Sequence, residues 1–277
     1  KLMAVRVTDD TYRRRNRMKT INELIKSYLE NEDKAVFGEI LDVIRTGDSL
    51  FAVAARVTNN FFMGAENAKP AAYIFSSKAF ADEFVKELKW EGYEVKSLEI
   101  RAAQRIGFFN DLYRSGFEAI VVDKGQESLT MSLFSIVEKP EDNGDIIVNP
   151  SLMRAAAQFY QELSRKRAVK PMQDMMCSEI YHAKFLLPSE SRNERAYPII
   201  TDNKGMKFYP VFTDHIEFGK FDKKQKYQTE LVKFRDLKKL VRKVDGIVVN
   251  PFGFGLRLDR EKIDNIEKEC STLKVVK

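Results

Sequence analysis

A chain of 277 residues, 44% hydrophobic and 32% charged, is long enough for two domains of ordinary size, each with its own core. No stretch reaches the ~18 consecutive apolar residues of a membrane-spanning helix, and the opening KLMAVRVTDD lacks the sections of a secretory signal. A cytoplasmic protein without a membrane partner is therefore expected. Cys177 and Cys270 have no neighbours at metal-ligand spacing, so neither a disulfide framework, a metal site nor a cofactor is indicated, and net charge +6 turns attention to where the excess lies.

In chain order, a basic run (Arg13, Arg14, Arg15, Arg17, Lys19) comes first and reads as a tail, a helix lead-in or a phosphate contact. Two amphipathic helices follow, near 20–30 (Ile21, Leu24, Ile25, Tyr28, Leu29) and 34–45 (Val36, Phe37, Ile40, Leu41, Ile44). Then come a strand SLFAVAARV (49–57), a strand AAYIFSS (71–77) and a helix KAFADEFVKEL (78–88) with Phe80, Phe84, Val85 and Leu88 on one face. YEVKSLEI (93–100) reads as a strand, FFNDLYRSG (108–116) as a helix, and EAIVVD (118–123) and LTMSLFSIV (129–137) as strands. A helix over 149–163 begins after Asn-Pro and carries a full apolar stripe, and SRKRAVKP (164–171) ends it as the expected linker.

The second part repeats this order: HAKFLLP (182–188), RAYPIIT (195–201), KFYPVFTD (207–214), a short helix near HIEFGKF (215–221), KYQTELVKF (226–234), the helix FRDLKKLVRKV (234–244), and the strands GIVVN (246–250) and GLRLD. YIFSS matches PVFTD, FNDL matches FRDL, and AIVVDKGQESL matches GIVVNPFGFGL without a gap, three agreements in one order that point to duplication. The expected class is α+β: two similar domains forming a tandem internal repeat, each a mixed β-sheet with packed helices. The divisions are a helical segment over 1–48, a first, divergent domain over 49–168 and a second over 169–277.

Chemistry is sparse. His182 and His215 are too few to assemble metal, triad or proton-transfer chemistry readily, and His215, after Asp214, reads as a helix-start or surface residue because no Ser or Cys motif accompanies it. No catalytic residue is assigned.

Two stretches carry the candidate binding residues. Residues 220–243 hold ten Lys or Arg against three Asp or Glu; in the helix 234–244 the residues Phe234, Leu237, Leu240, Val241 and Val244 face inward, leaving Lys238, Lys239, Arg242 and Lys243 outward. That face is a solvated surface, a docking surface for an acidic protein, or a nucleic-acid contact without the aromatic platform that usually goes with one. The second stretch is Asn250-Pro-Phe-Gly253-Phe-Gly255. A phosphate loop needs a helix directly after its glycines, but the alternating Leu256 and Leu258 follow instead, so a hairpin turn is the better reading.

YPVFTD, followed by an apolar helix and then DGIVVNPFGFGLRLDREKI, resembles the SseB protein N-terminal domain family, in which a VFTS- or AFTS-like strand end and a VVNP.G..L.L segment recur. The resemblance covers roughly 181–266; residues 50–137 look like a divergent copy that lacks Asn-Pro and has Ser76-Ser77 where the second has Thr213-Asp214. It implies the fold and a bacterial, cytoplasmic setting, and carries over no catalytic residue. A non-catalytic interaction or regulatory protein is the favoured reading. A nucleic-acid binder using the basic second domain, and an enzyme acting on a small anion between the domains, are the alternatives.

Overall fold

A computed structural model describes residues 19–47, 49–139, 147–167, 169–190 and 196–271. Of the N-terminal basic run, Arg13, Arg14, Arg15 and Arg17 lie outside them. Thr20 opens α1 (Ile21–Asn31) with a capping box: its hydroxyl accepts from the Glu23 amide, and the Glu23 carboxylate accepts from the Thr20 amide at 2.8 Å. Asp33 caps α2 (Lys34–Thr46) in the same sense. Ile21, Leu24, Ile25, Val36, Ile40 and Ile44, spaced on helical stripes, are the buried faces of the two helices.

Seven strands form the first sheet: β1 (Leu50–Ala55), β2 (Asn60–Phe61), β3 (Gly64–Glu66), β4 (Lys69–Phe75), β5 (Val95–Ile100), β6 (Ala119–Val122) and β7 (Leu129–Ser132). Its main order is β5-β1-β4-β6-β7, with β4 and β6 parallel and the other neighbours antiparallel. One face packs on α1, α2 and α4 (Arg105–Arg114); the other packs on α3 (Lys78–Trp90), through Tyr73, Phe75, Phe84, Val85 and Leu88. Alternation along each strand divides its side chains between these two cores.

The second part comprises α5 (Pro150–Ser164), α6 (Lys170–His182), β8 (Lys184–Ser189), β9 (Ile200–Thr201), β10 (Lys207–Val211), α7 (His215–Phe221), β11 (Gln228–Lys233), α8 (Phe234–Leu240), β12 (Gly246–Val249), β13 (Leu256–Asp259) and α9 (Arg260–Ser271). Here β11 pairs with β8, and β9, β10, β12 and β13 form a four-stranded ladder in the order β13-β12-β10-β9; one bridge, Leu186 with Phe212, joins the two ladders. The order β11-β8-β10-β12-β13 follows that of the first sheet, and β10 and β12 are again the parallel pair.

The agreement extends to single hydrogen bonds. Ala119 faces Ser132 as Gly246 faces Asp259, and Ala71 faces Ala119 as Phe208 faces Gly246. Asp123 and Asn250, each ending the parallel inner strand, both take positive φ (52° and 48°), and their amides donate to Ile74 and Val211 at 2.9 Å. Asp123 accepts from the Ser76 amide (2.7 Å) and hydroxyl (2.8 Å). Asn250 accepts from the Thr213 amide (3.0 Å) and donates to its hydroxyl (2.8 Å).

That pairing yields a prediction. Burial raises the pKa of Asp123 above its ordinary 3.8, while the Ser76 bonds oppose the rise. A folded-state pKa above the unfolded one means that ionisation favours the unfolded chain, so the penalty is absent below the unfolded value and grows as pH rises through the folded one. Asp123→Asn, which installs what the second half already uses, should raise the melting temperature by ~2–4 °C at neutral pH, for a gain of about 1 kcal/mol. In thermal melts the gain should vanish near pH 3.

Some expected elements differ. Residues 172–181, for which the sequence suggests no element, form α6 together with the end of the expected linker: Pro171 sits in its first turn, where a missing N–H costs nothing, and only Met176 and Ile180 are buried, too sparse a stripe to read. The strand expected over 195–201 is confined to Ile200–Thr201, residue 195 lying outside the described residues. LTMSLFSIV leaves the sheet after Ser132 for a 3-10 turn, and FRDLKKLVRKV tightens into one after Leu240. Helix α5 lies before the expected division at residue 168; Leu152, Met153, Ala155 and Ala156 join the second core, whereas Ala157 joins the first.

Candidate functional site

Asn250 starts the β12–β13 turn and is wholly buried; its carbonyl accepts from the amides of Gly253 (2.8 Å) and Gly255 (3.0 Å). Gly255 holds φ +61°, a conformation that disfavours a side chain. Gly253 answers a different condition: a Cβ there would lie 2.8 Å from Glu217 Oε2, so a side chain would press on the buried Glu217 carboxylate and force it to shift. Phe254 turns into the core against Tyr160, and Phe252 is half exposed. The stretch is a hairpin turn, with Leu256 and Leu258 in the returning strand.

Around this turn is a polar network that joins the two halves. Thr213 ends the β10 strand region and donates its hydroxyl to Asp214 Oδ2 at 2.9 Å, while Asp214 Oδ1 caps α7 through the amides of Ile216 and Glu217. Arg114, from the last turn of α4 in the first half, donates through Nη1 to Asp214 (3.1 Å) and Glu217 (3.2 Å) and through Nε to Asp111 (2.6 Å). Lys220 adds a bond to Glu217 at 2.7 Å. Arg114, Asp214 and Glu217 are all at most 5% exposed. Burial pulls the Arg114 pKa down, but Asp214, Asp111 and Glu217 outweigh it and hold the guanidinium above its ordinary value. The sequence alone singles out neither Arg114 nor Glu217, because their pairing spans about 100 positions and leaves no local signal; Lys220 appears there only as the first residue of the basic stretch, and Asp214 only beside His215 and in the YPVFTD strand end.

The basic residues stand at the other end of β12. Lys238, Lys239, Arg242 and Lys243 are exposed on α8 and its 3-10 extension, while Phe234, Leu237, Val241 and Val244 are buried. Between this segment and α9 runs a groove of about 460 Å³, lined by Arg235, Lys238, Lys239, Arg242 and Arg260 and by the carboxylates of Asp264 and Glu267. Two of these cations are occupied. Lys238 contacts Glu267 (2.7 Å) and Asp264 (2.9 Å), which hold its pKa up at about 12. Arg260 donates to the carbonyls of Val241, Arg242 and Val244, closing the C-terminal end of the α8 segment. Among the described residues Lys239 has only Asp236, at 3.8 Å, and Arg242 lines the groove as an exposed cation. The two expected groups of site residues are therefore not brought together: one is a buried turn, the other an open charged groove.

Among the described residues no histidine, cysteine, aspartate and glutamate group could hold a metal ion, and no helix is long and apolar enough to cross a membrane. His182 and His215 are exposed, and burial pushes the Cys177 thiol up to about 11, which keeps it protonated at neutral pH.

Residues 152–265 match the SseB protein N-terminal domain family. The matched span begins inside α5, earlier than the sequence motifs reach, and takes in the helices that complete the second core; it contains both the Asn250 turn and the basic groove's α8 wall. No curated protein matches the chain. Among solved structures, Tic22 from Plasmodium falciparum matches at 12% identity and TM-score 0.21, covering 84% of this chain and 99% of its own. Anabaena Tic22, a protein-transport protein, matches at 9% identity and TM-score 0.20, covering 76% of this chain and 90% of its own.

Proposed function

We propose that this is a non-catalytic interaction protein whose groove between α8 and α9 receives an acidic segment of a partner protein. The observation that carries the reading is the groove itself, where five cations face two carboxylates and Lys239 and Arg242 stand exposed beside Lys243. An acidic peptide supplies a carboxylate partner for Arg242 and a closer one for Lys239 than Asp236, while Asp264 and Glu267, through Lys238, fix the wall it lies against. The correspondence of strand order, register and turn hydrogen bonds supports residues 49–168 and 169–277 as two SseB-like units, the second being the one that carries the groove.

The test is calorimetric titration with an oligoglutamate peptide and, separately, mixed-sequence single-stranded RNA over a range of salt. The peptide should bind at low salt and weaken as salt rises, because exposed charges are screened. Lys239→Glu combined with Arg242→Glu should weaken it by at least about tenfold, two charge-assisted contacts being lost. Tighter binding of RNA than of the peptide, with a log–log salt slope that reports displaced counterions, would favour the nucleic-acid reading instead.

A further inference from the structure

We infer that the cleft between the two halves, in front of the Arg114 network, binds a small organic anion with an apolar body. In the antiparallel β1–β5 pair, Ala54 faces Lys96 and Ala52 faces Leu98; on the opposite edge of β1, Ala54 faces Phe61. Alternation therefore places Ala54, Lys96 and Leu98 on one face of the sheet, and Arg56, in the turn after β1, lines the same hollow. The single methyl of Ala54 between longer neighbours leaves a hollow of about 450 Å³, walled by Asp111 and Arg114 of α4 and by Lys220 of α7.

The charges lining it are four cations and one carboxylate. Asp111 is held by Arg114 Nε at 2.6 Å, and Lys220 by Glu217 at 2.7 Å, so these belong to the network behind the wall. Arg56 and Lys96 are different: neither has a carboxylate partner among the described residues. Two unpaired cations lining one hollow raise the local concentration of an anion there. Beside them Phe61 and Leu98, the latter 40% exposed, offer apolar surface of the kind that covers a ring or short chain.

The rim is fixed before any ligand arrives. Asn59 donates to the Phe252 carbonyl at 3.1 Å, tying the β1–β2 turn to the Asn250 turn of the other half, and Asn60 donates to Ser115 Oγ at 3.0 Å. A preformed rim spares the ordering cost that weakens binding by loose loops. The ligand class is a compact carboxylate or phosphate monoester whose charged end meets Arg56 and Lys96 and whose body lies on Phe61 and Leu98.

Phenyl phosphate is the probe, followed by calorimetry and by amide chemical shifts of residues 54–61 and 95–98. It should bind the wild-type chain more tightly than inorganic phosphate does. Arg56→Gln with Lys96→Gln should weaken it at least about tenfold without moving the melting temperature, since both side chains are exposed. The groove variant of Lys239 and Arg242 should leave it unchanged, which separates this site from the acidic-peptide groove. Absence of binding to the wild-type chain, or equal affinity in the Arg56/Lys96 variant, would overturn the assignment; so would equal affinity for inorganic phosphate, which would remove the apolar half of the site.

Discussion

Arg114→Met should lower the melting temperature by ~10 °C, because removing one partner of a buried ion cluster costs about 3–5 kcal/mol. Asp214 and Glu217 would remain at 2% and 1% exposure with Lys220 on Glu217 and, among the described residues, no cation on Asp214. Methionine keeps most of the volume, so the loss reports the charge rather than a cavity. Since Arg114 belongs to the first half and both carboxylates to the second, calorimetric unfolding should also broaden or split in two. Adding Glu217→Gln to the variant should recover part of the loss, because Glu217 Oε2 has no hydrogen-bond partner among the described residues and one buried charge would then be gone.

Asn250→Asp should be nearly as costly, about 2–4 kcal/mol at neutral pH. The amide donates to Thr213 Oγ1, and that hydroxyl in turn donates to Asp214; a carboxylate at position 250 would make both flanking groups acceptors competing for one hydroxyl proton. The first half tolerates Asp123 at the matching position because Ser76 can turn its hydroxyl toward it and the next residue is Ser77, not an acid. The cost should shrink as pH falls through the carboxyl range, where the introduced carboxyl, once protonated, donates as the amide does. Thermal melts of the variant at pH 7 and pH 4 check both statements. A cost that does not change with pH would point to backbone strain at φ 48° instead.

What sequence could and could not reveal follows from the range of each interaction. GIVV and LRLD announce a buried strand and a half-buried one by their alternation, and two glycines with no helix behind them announce a turn, all within 14 residues. The stripe of Phe234, Leu237 and Val241 likewise places Lys238, Lys239, Arg242 and Lys243 on the outside by helical geometry alone. That Lys238 is held by Glu267, and Arg260 by the carbonyls ending the α8 segment, depends on how α9 returns to pack there, which no local pattern encodes. The Arg114 network and the hollow over Ala54 are of the same kind: Asp111, Arg114, Asp214 and Glu217 are ordinary helix-end charges until two halves are placed together. Residue 253 shows a third case, in which the glycine is legible but its reason is not, since only the folded chain brings Glu217 against it.

Chemical-shift mapping of the wild-type chain with oligoglutamate at low salt tests the proposed function most directly. Amides of residues 235–243 and 260–267 should shift together and saturably, while those of 54–61 and 250–255 should not. Shifts absent from the α8–α9 groove, or spread evenly over every exposed lysine, would contradict it.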